Sequence, residues 1–109
     1  MADRGGQLVV LLRSDGAGPH LIDSARRKAY TAASMRNRTS IASKAIDDRS
    51  GEPDPYLVYL EGVLVVGGGV PIKAGDEVIG AIGVGGSPGS IHDEECADAG
   101  IAQIAARLA

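Results

Sequence analysis

The sequence contains no phenylalanine and no tryptophan, and this absence constrains its core more than any other feature. Glycine, by contrast, occurs 16 times in 109 residues. The core must therefore be built from alanine, valine, isoleucine and leucine, whose smaller volumes require backbones to approach closely. Glycine permits such an approach because it lacks a Cβ atom. The length and composition predict a single domain over residues 1–109.

The charge balance excludes several classes of partner. A formal net charge of −3 and a pI near 5.2 provide no basic surface for a phosphate backbone, so we expect no nucleic-acid partner. The longest apolar run is far shorter than the roughly 20 residues that cross a bilayer, and the start of the chain lacks a signal-peptide core. We therefore expect no membrane span and a cytoplasmic location. A lone cysteine, Cys96, excludes an internal disulfide.

The segment from Pro19 to about Met35 has the spacing of an amphipathic helix. Apolar side chains recur every three or four residues, at Ile22, Ala25, Ala29, Ala32 and Ala33. Most of the other face consists of charged side chains, namely Asp23, Arg26, Arg27 and Lys28. The alanine stripe predicts a helix that packs closely on a sheet.

Two further helices are predicted. Thr39 is the expected N-cap of a short helix that buries Ile41, Ala42 and Ala45. Ser90 is expected to cap a final helix. The acidic residues 93–95 in its first turn are stabilised by the positive end of the helix dipole.

Four apolar segments have the pattern of strands. Residues 7–13 and residues 63–66 are aliphatic runs that end at turn residues, and each predicts a buried strand. Residues 70–73 and 77–84, with a turn between them, predict a hairpin. The charged, proline-containing stretch 47–55 is expected to be an exposed loop. This order of elements predicts an α+β fold with a mostly antiparallel sheet flanked by helices.

Several residues have side chains that could bind a ligand, and each has a plainer interpretation. His20 could ligate iron as a neutral imidazole, or it could be an exposed histidine at a helix start. Arg26, Arg27 and Lys28 could pair with the carboxylates of an acidic ligand, or form a solvated helix face. The hydroxyl groups of Tyr30 and Thr31 could reach a pocket or be satisfied in the packing. No catalytic constellation is evident from composition and spacing.

The glycine runs at positions 67–69 and 83–86 do not have the spacing of a phosphate-binding loop, and tight turns or close packing explain them better. His92 beside the acidic residues 93–95 suggests a metal cluster. Consecutive helical residues point in different directions, so helix capping is the favoured interpretation.

Three stretches together resemble the GlcG/HbpS family, to which the C-terminal domain of PduO belongs. They are residues 13–32, which include Lys28-Ala29-Tyr30-Thr31-Ala32, residues 38–40, and residues 67–84, which include Gly67-Gly68-Gly69-Val70-Pro71-Ile72, with Asp93 and Glu94 beyond. The resemblance implies a sheet flanked by helices, layered as in profilin and PAS domains. It also implies oligomeric assembly and, in several relatives, haem or another tetrapyrrole as ligand.

By position, the resemblance places the first helix and a glycine turn nearest a pocket. The cofactor-binding residues it implies are His20, Arg27, Lys28, Tyr30, Thr31, Gly67, Gly68 and Gly69, with His20 as the metal ligand. Relatives usually begin with a long helix and a strand that this sequence lacks. We expect the resulting unpaired sheet edge to favour a homo-oligomer.

A small ligand-binding domain for haem or a related tetrapyrrole is therefore the leading hypothesis. The alternatives are an enzyme acting on a small catabolic metabolite, with Tyr30, Lys28 or His20 as acid or base, and a structural assembly partner.

Overall fold

The computed structural model describes residues 1–48, 54–87 and 90–108, where three helices pack on a three-stranded sheet. The helices are α1 (His20–Met35), α2 (Thr39–Asp47) and α3 (Ser90–Ile104), the strands are β1 (Ala2–Asp3), β2 (Gly69–Ala74) and β3 (Glu77–Gly83), and two 3-10 helices span Pro55–Tyr59 and Ala105–Arg107. The sheet order is β1-β3-β2 and both pairings are antiparallel. The predicted α+β class and the three predicted helices are confirmed. No helix in these ranges is long and apolar enough to cross a bilayer.

The predicted hairpin is also confirmed. β2 pairs with β3 from Gly69↔Gly83 to Ala74↔Glu77, and the register shifts between Ile72 and Lys73. The outer edge of β2 offers few hydrogen-bond donors. The Gly69 N–H donates to the Thr39 hydroxyl at 2.9 Å, and Pro71, two residues on and directed to the same side, has no N–H.

The prediction of a buried strand at residues 7–13 is wrong. Only Leu8 forms a bridge, with Ala2, and Leu8, Val9, Val10 and Leu12 are exposed. The position beside β3 is taken by β1, and the chain turns back at Gly6, where φ is 80°, to run along the outside of β1. The aliphatic pattern therefore belongs to an outer segment, which is tied to residues 1–3 by hydrogen bonds such as that from the Val9 N–H to the Met1 carbonyl, at 2.8 Å.

The predicted strand at residues 63–66 is also absent, because side chains of α1 form hydrogen bonds with the backbone of residues 63 and 64 in place of a neighbouring strand. Arg27 Nη2 donates to the Val63 carbonyl at 2.7 Å, and the Leu64 N–H donates to the Thr31 hydroxyl at 2.9 Å. The preceding residues, Pro55–Tyr59, form a 3-10 helix. Of the predicted loop 47–55, residues 49–53 lie outside the described residues.

The prediction for α2 is correct in outline and wrong in two details. Thr39 is the first helical residue instead of the N-cap, which is Arg38, and its hydroxyl serves β2. Ala42 is buried as expected, but Ile41 is half exposed. In α3, Ser90 is likewise the first helical residue instead of the expected cap.

The contact of α1 with the sheet depends on the absence of side-chain atoms on both sides. Ala29 and Ala32 are fully buried on the helix, and Ala81 is fully buried on β3. A Cβ atom at Gly83 would fall on the Ala25 carbonyl oxygen and would lie 2.6 Å from the Ala29 nitrogen. The glycine therefore sets the distance between helix and strand.

We predict that Gly83→Ala lowers the free energy of unfolding by about 2 kcal/mol or more, because the added methyl group overpacks the interface between α1 and β3. Urea denaturation monitored by circular dichroism measures the change. Gly100→Ala is the matched control: its Cβ atom would meet Ile82 at an ordinary 3.8 Å. It should leave stability unchanged or raise it by up to about 1 kcal/mol, since alanine is the better helix former. Equal stability of the two variants would contradict the packing argument.

Candidate functional site

An apolar groove of about 420 Å³ lies beside the end of β3. β1 pairs with β3 only at Gly80 and Ala81, and the groove occupies the adjacent space along residues 82–85. Its remaining walls come from Leu8 and residues 10–14 of the N-terminal segment, from Leu21, Ile22 and Ala25 of α1, and from Met1, Ala17 and Cys96. The volume falls within the range of about 300–1,000 Å³ typical of small-molecule pockets.

Two arginines are the charged side chains that line this groove in the described part of the chain. Arg26 forms an ion pair with Asp23 on the exposed surface of α1, with 2.7 Å between Nη2 and Oδ1. Arg13 is exposed and has no ion pair or side-chain hydrogen bond within the described ranges. The Met1 amino group donates to the Val10 carbonyl at 2.8 Å, and its burial lowers its pKa. The groove therefore combines apolar walls with one unpaired guanidinium.

His20, the predicted metal ligand, is exposed at the start of α1. Its imidazole lies over Gly18, where a Cβ atom would be 2.9 Å from the ring carbon Cε1. His20 is absent from the groove lining, although Ala17 and Leu21 on either side of it belong to that lining. The predicted ligand is thus near the groove without forming its wall.

The other predicted residues of α1 contact the framework of the fold. The Thr31 hydroxyl is fully buried, donates to the Arg27 carbonyl at 2.8 Å and accepts from the Leu64 N–H. Arg27 holds the Val63 carbonyl. The Tyr30 ring lies against Gly6, where a Cβ atom would be 2.8 Å away. These three side chains attach α1 to neighbouring segments.

Lys28 is buried, which contradicts its predicted place on the charged face of α1. Its side chain is 5% exposed, and Nζ lies 3.1 Å from the Val84 carbonyl and 3.2 Å from Asp93 Oδ2. Lys28 is three residues after Ala25 and four before Ala32, so it lies on the same stripe as the buried alanines. A buried ammonium requires this pairing, because its charge would otherwise be desolvated without compensation.

A carboxylate in the first turn of α3 binds the backbone of the glycine turn at residues 67–69. Glu94 accepts hydrogen bonds from the Gly68 N–H at 3.2 Å and from the Ser40 N–H at 3.1 Å. Asp93 Oδ1 accepts from the Ser87 N–H at 3.0 Å. The buried residues Gly67 and Gly69 flank Gly68, and a Cβ atom at Gly69 would fall on the Lys28 carbonyl oxygen. These carboxylates thus connect elements of the fold, which goes beyond the helix capping expected of them.

Arg38 completes this network at the surface. It donates to Asp98 Oδ1 and Oδ2 at 2.8 and 2.9 Å, and these hydrogen bonds raise the pKa of Arg38. His92 lies 3.4 Å from Glu95 on the exposed side of α3. Over residues 1–48, 54–87 and 90–108, no three His, Cys, Asp or Glu side chains are grouped to hold a metal ion.

The groove residues were not predicted as a group. Arg26 was recognised as a possible partner for an acidic ligand, but Arg13 and the aliphatic residues 8–12 were not assigned to a site. Their signal is a continuous aliphatic run, of which all residues but Val9 line the groove. Such a run does not distinguish a buried strand from a pocket wall.

We predict that Asp93→Asn lowers the free energy of unfolding by about 3 kcal/mol, because it leaves the buried Lys28 ammonium without its counter-charge. Chemical denaturation at constant pH measures the effect. Glu77→Gln provides the comparison, since the Arg4–Glu77 pair at 2.6 Å is more than half exposed on both sides. This control should cost less than about 1 kcal/mol. Similar losses of unfolding free energy for the two variants would show that the buried pair stabilises the fold no more than the exposed pair does.

Comparisons with known proteins agree with this architecture. The family model described as "Haem degrading protein HbpS-like" matches residues 1–102. A curated relative from Citrobacter freundii, an uncharacterized 15.0 kDa protein in the dhaT-dhaS intergenic region, is 31% identical over 86 residues, which are 79% of this chain and 61% of that protein. The chain thus spans about three fifths of the length of this relative.

Three solved structures share the fold. A double mutant of HbpS from Streptomyces reticuli has a TM-score of 0.85 and 41% identity, over 94% of this chain and 68% of that chain. Klebsiella pneumoniae protein ORFY has a TM-score of 0.81 and 28% identity, over 92% and 68% of the two chains. A PduOC:heme complex has a TM-score of 0.81 and 25% identity, over 93% and 72%. With the family model spanning nearly all of its length, the chain belongs to the HbpS-like family.

Proposed function

We propose that this chain binds haem or a related tetrapyrrole in the apolar groove beside β3. The observation that carries the proposal is the groove itself, because it pairs apolar walls with two arginines in a family that includes a haem complex. A tetrapyrrole has a flat apolar ring with acidic side groups. Apolar walls favour the ring, and guanidinium groups favour carboxylates.

The residues present fit this ligand. The walls contributed by Leu8, Val10, Leu21 and Val84 would bury ring surface, and Arg13 and Arg26 would be near its carboxylates. Lys28 would support the site indirectly, since its ammonium holds the carbonyl of Val84 in the wall. Arg27, Tyr30, Thr31 and the glycine turn at 67–69 would likewise keep α1 and its neighbours in place. When bound, haem would supply a redox-active iron; His20, beside the groove and outside its lining, remains the proposed ligand, with a small contribution to the affinity.

Haemin titration tests the proposal. The wild-type protein should change the Soret band of haemin with a stoichiometric end point. Val10→Asp should weaken binding by about tenfold or more, because it places a charge in the apolar wall at a loss of roughly 1.4 kcal/mol or more. Val9→Asp is the matched control, since Val9 is exposed on the same segment but does not line the groove. An unchanged Soret band with the wild type would reject the function, and equal loss in both variants would reject this location.

The same titration separates binding from turnover. A stable Soret band supports a binding domain. A bound band that decays with time in the presence of a reductant and oxygen would favour the enzymatic alternative. The matching family is described as haem-degrading, and Tyr30, Lys28 or His20 of α1 would then be the acid or base.

We also propose that the protein self-associates, because Leu8, Val9, Val10 and Leu12 expose aliphatic side chains along one segment, with Leu12 91% exposed. Light scattering at micromolar concentration should give a mass above the 11.1 kDa of one chain. Leu12→Lys should reduce that mass without unfolding the protein. A strict monomer for the wild type would reject self-association.

A further inference from the structure

We propose that the groove recognises a porphyrin by its ring and its free carboxylates, with Arg13 as the selecting residue, so that a metal-free dicarboxylate porphyrin binds as well as haem does. This inference rests on the proposed tetrapyrrole function and names the chemistry that selects the ligand. Two observations support it: the groove lining contains two arginines, and one of them already bonds a carboxylate of the protein.

Neither histidine lines the groove, and among the described residues its lining contains no carboxylate side chain. The soft donors in that lining are the sulfur atoms of Met1 and Cys96, on the N-terminal segment and α3. No imidazole or carboxylate therefore belongs to the described wall, and the sulfur atoms would be the iron ligands that remain. We expect the affinity to come mainly from the apolar contact and from the acidic groups of the ligand.

The chain carries a net charge of −3, so a ligand with two carboxylates approaches against the overall field unless local cations favour it. The groove supplies those cations, and no acidic side chain accompanies them in the part of its lining that the structure describes. A guanidinium suits a carboxylate because it can donate two parallel hydrogen bonds.

The two arginines of the groove differ in their partners. Arg26 already donates to Asp23 at 2.7 Å, so a ligand must compete with that pair. Arg13 has no ion pair or side-chain hydrogen bond in the described ranges, and its side chain is exposed at the groove. Arg13 therefore gains a new charge-assisted bond on binding, whereas Arg26 would only exchange one partner for another.

Fluorescence titration with protoporphyrin IX and its dimethyl ester tests the inference, beside absorbance titration with haemin. Protoporphyrin IX should bind within about threefold of haemin, and the ester about tenfold more weakly, because it cannot accept a charge-assisted bond. Arg13→Gln should weaken protoporphyrin IX by about tenfold and leave the ester unchanged. Arg107→Gln, in the exposed 3-10 helix after α3, is the control and should alter neither.

The outcomes separate this inference from the function on which it rests. If haemin binds and protoporphyrin IX does not, iron ligation carries the affinity and the inference is overturned, while the haem function stands. If protoporphyrin IX and its ester bind equally well, or Arg13→Gln changes nothing, the role of Arg13 is overturned. If none of the three compounds binds, the proposed function itself falls.

Discussion

The rest of the structure depends on a buried ion pair between Lys28 and Asp93. The ammonium also holds the Val84 carbonyl, and the carboxylate also accepts the Ser87 N–H, so one pair joins α1, the end of β3 and α3. Because desolvated charges need their partners close and well directed, this arrangement tolerates little displacement of the three elements. Val84 lines the groove, and the geometry of the proposed site therefore depends on this contact.

The elements that could be predicted from the sequence are those whose pattern is satisfied locally. The alanine stripe of α1 and the short turn of the hairpin between β2 and β3 are of this kind, since helix periodicity and turn chemistry need no distant partner. Residues 7–13 and 63–66, which were wrongly predicted as strands, have the aliphatic composition that is typical of strands. What they lack is a neighbouring strand, because β1 takes the place beside β3 and α1 side chains bond residues 63 and 64. Composition predicts a preference for extended backbone but does not identify the partner.

The candidate site could be predicted only in part for a similar reason. The resemblance directed attention to α1 and the glycine turn, where Thr31, Lys28 and Gly68 prove to be bonded within the fold. The groove is formed by segments far apart in sequence, and its N-terminal wall exists because a predicted strand stays outside the sheet. One signal in the sequence was available: a lysine on the alanine stripe, three residues after Ala25, indicates a buried counter-charge. It gives no position for that counter-charge, which lies 65 residues further along the chain.

The outer edge of β2 has a consequence for the behaviour of the protein at high concentration. Edge strands are templates for the addition of further strands, and fibre growth requires a regular series of free N–H and carbonyl groups. Here the Gly69 N–H is occupied by Thr39, Pro71 has none to offer, and the shifted register at Lys73 interrupts the series next to a positive charge. The edge of β2 is thereby a poor template for strands of other molecules, and growth of a sheet from this side is discouraged.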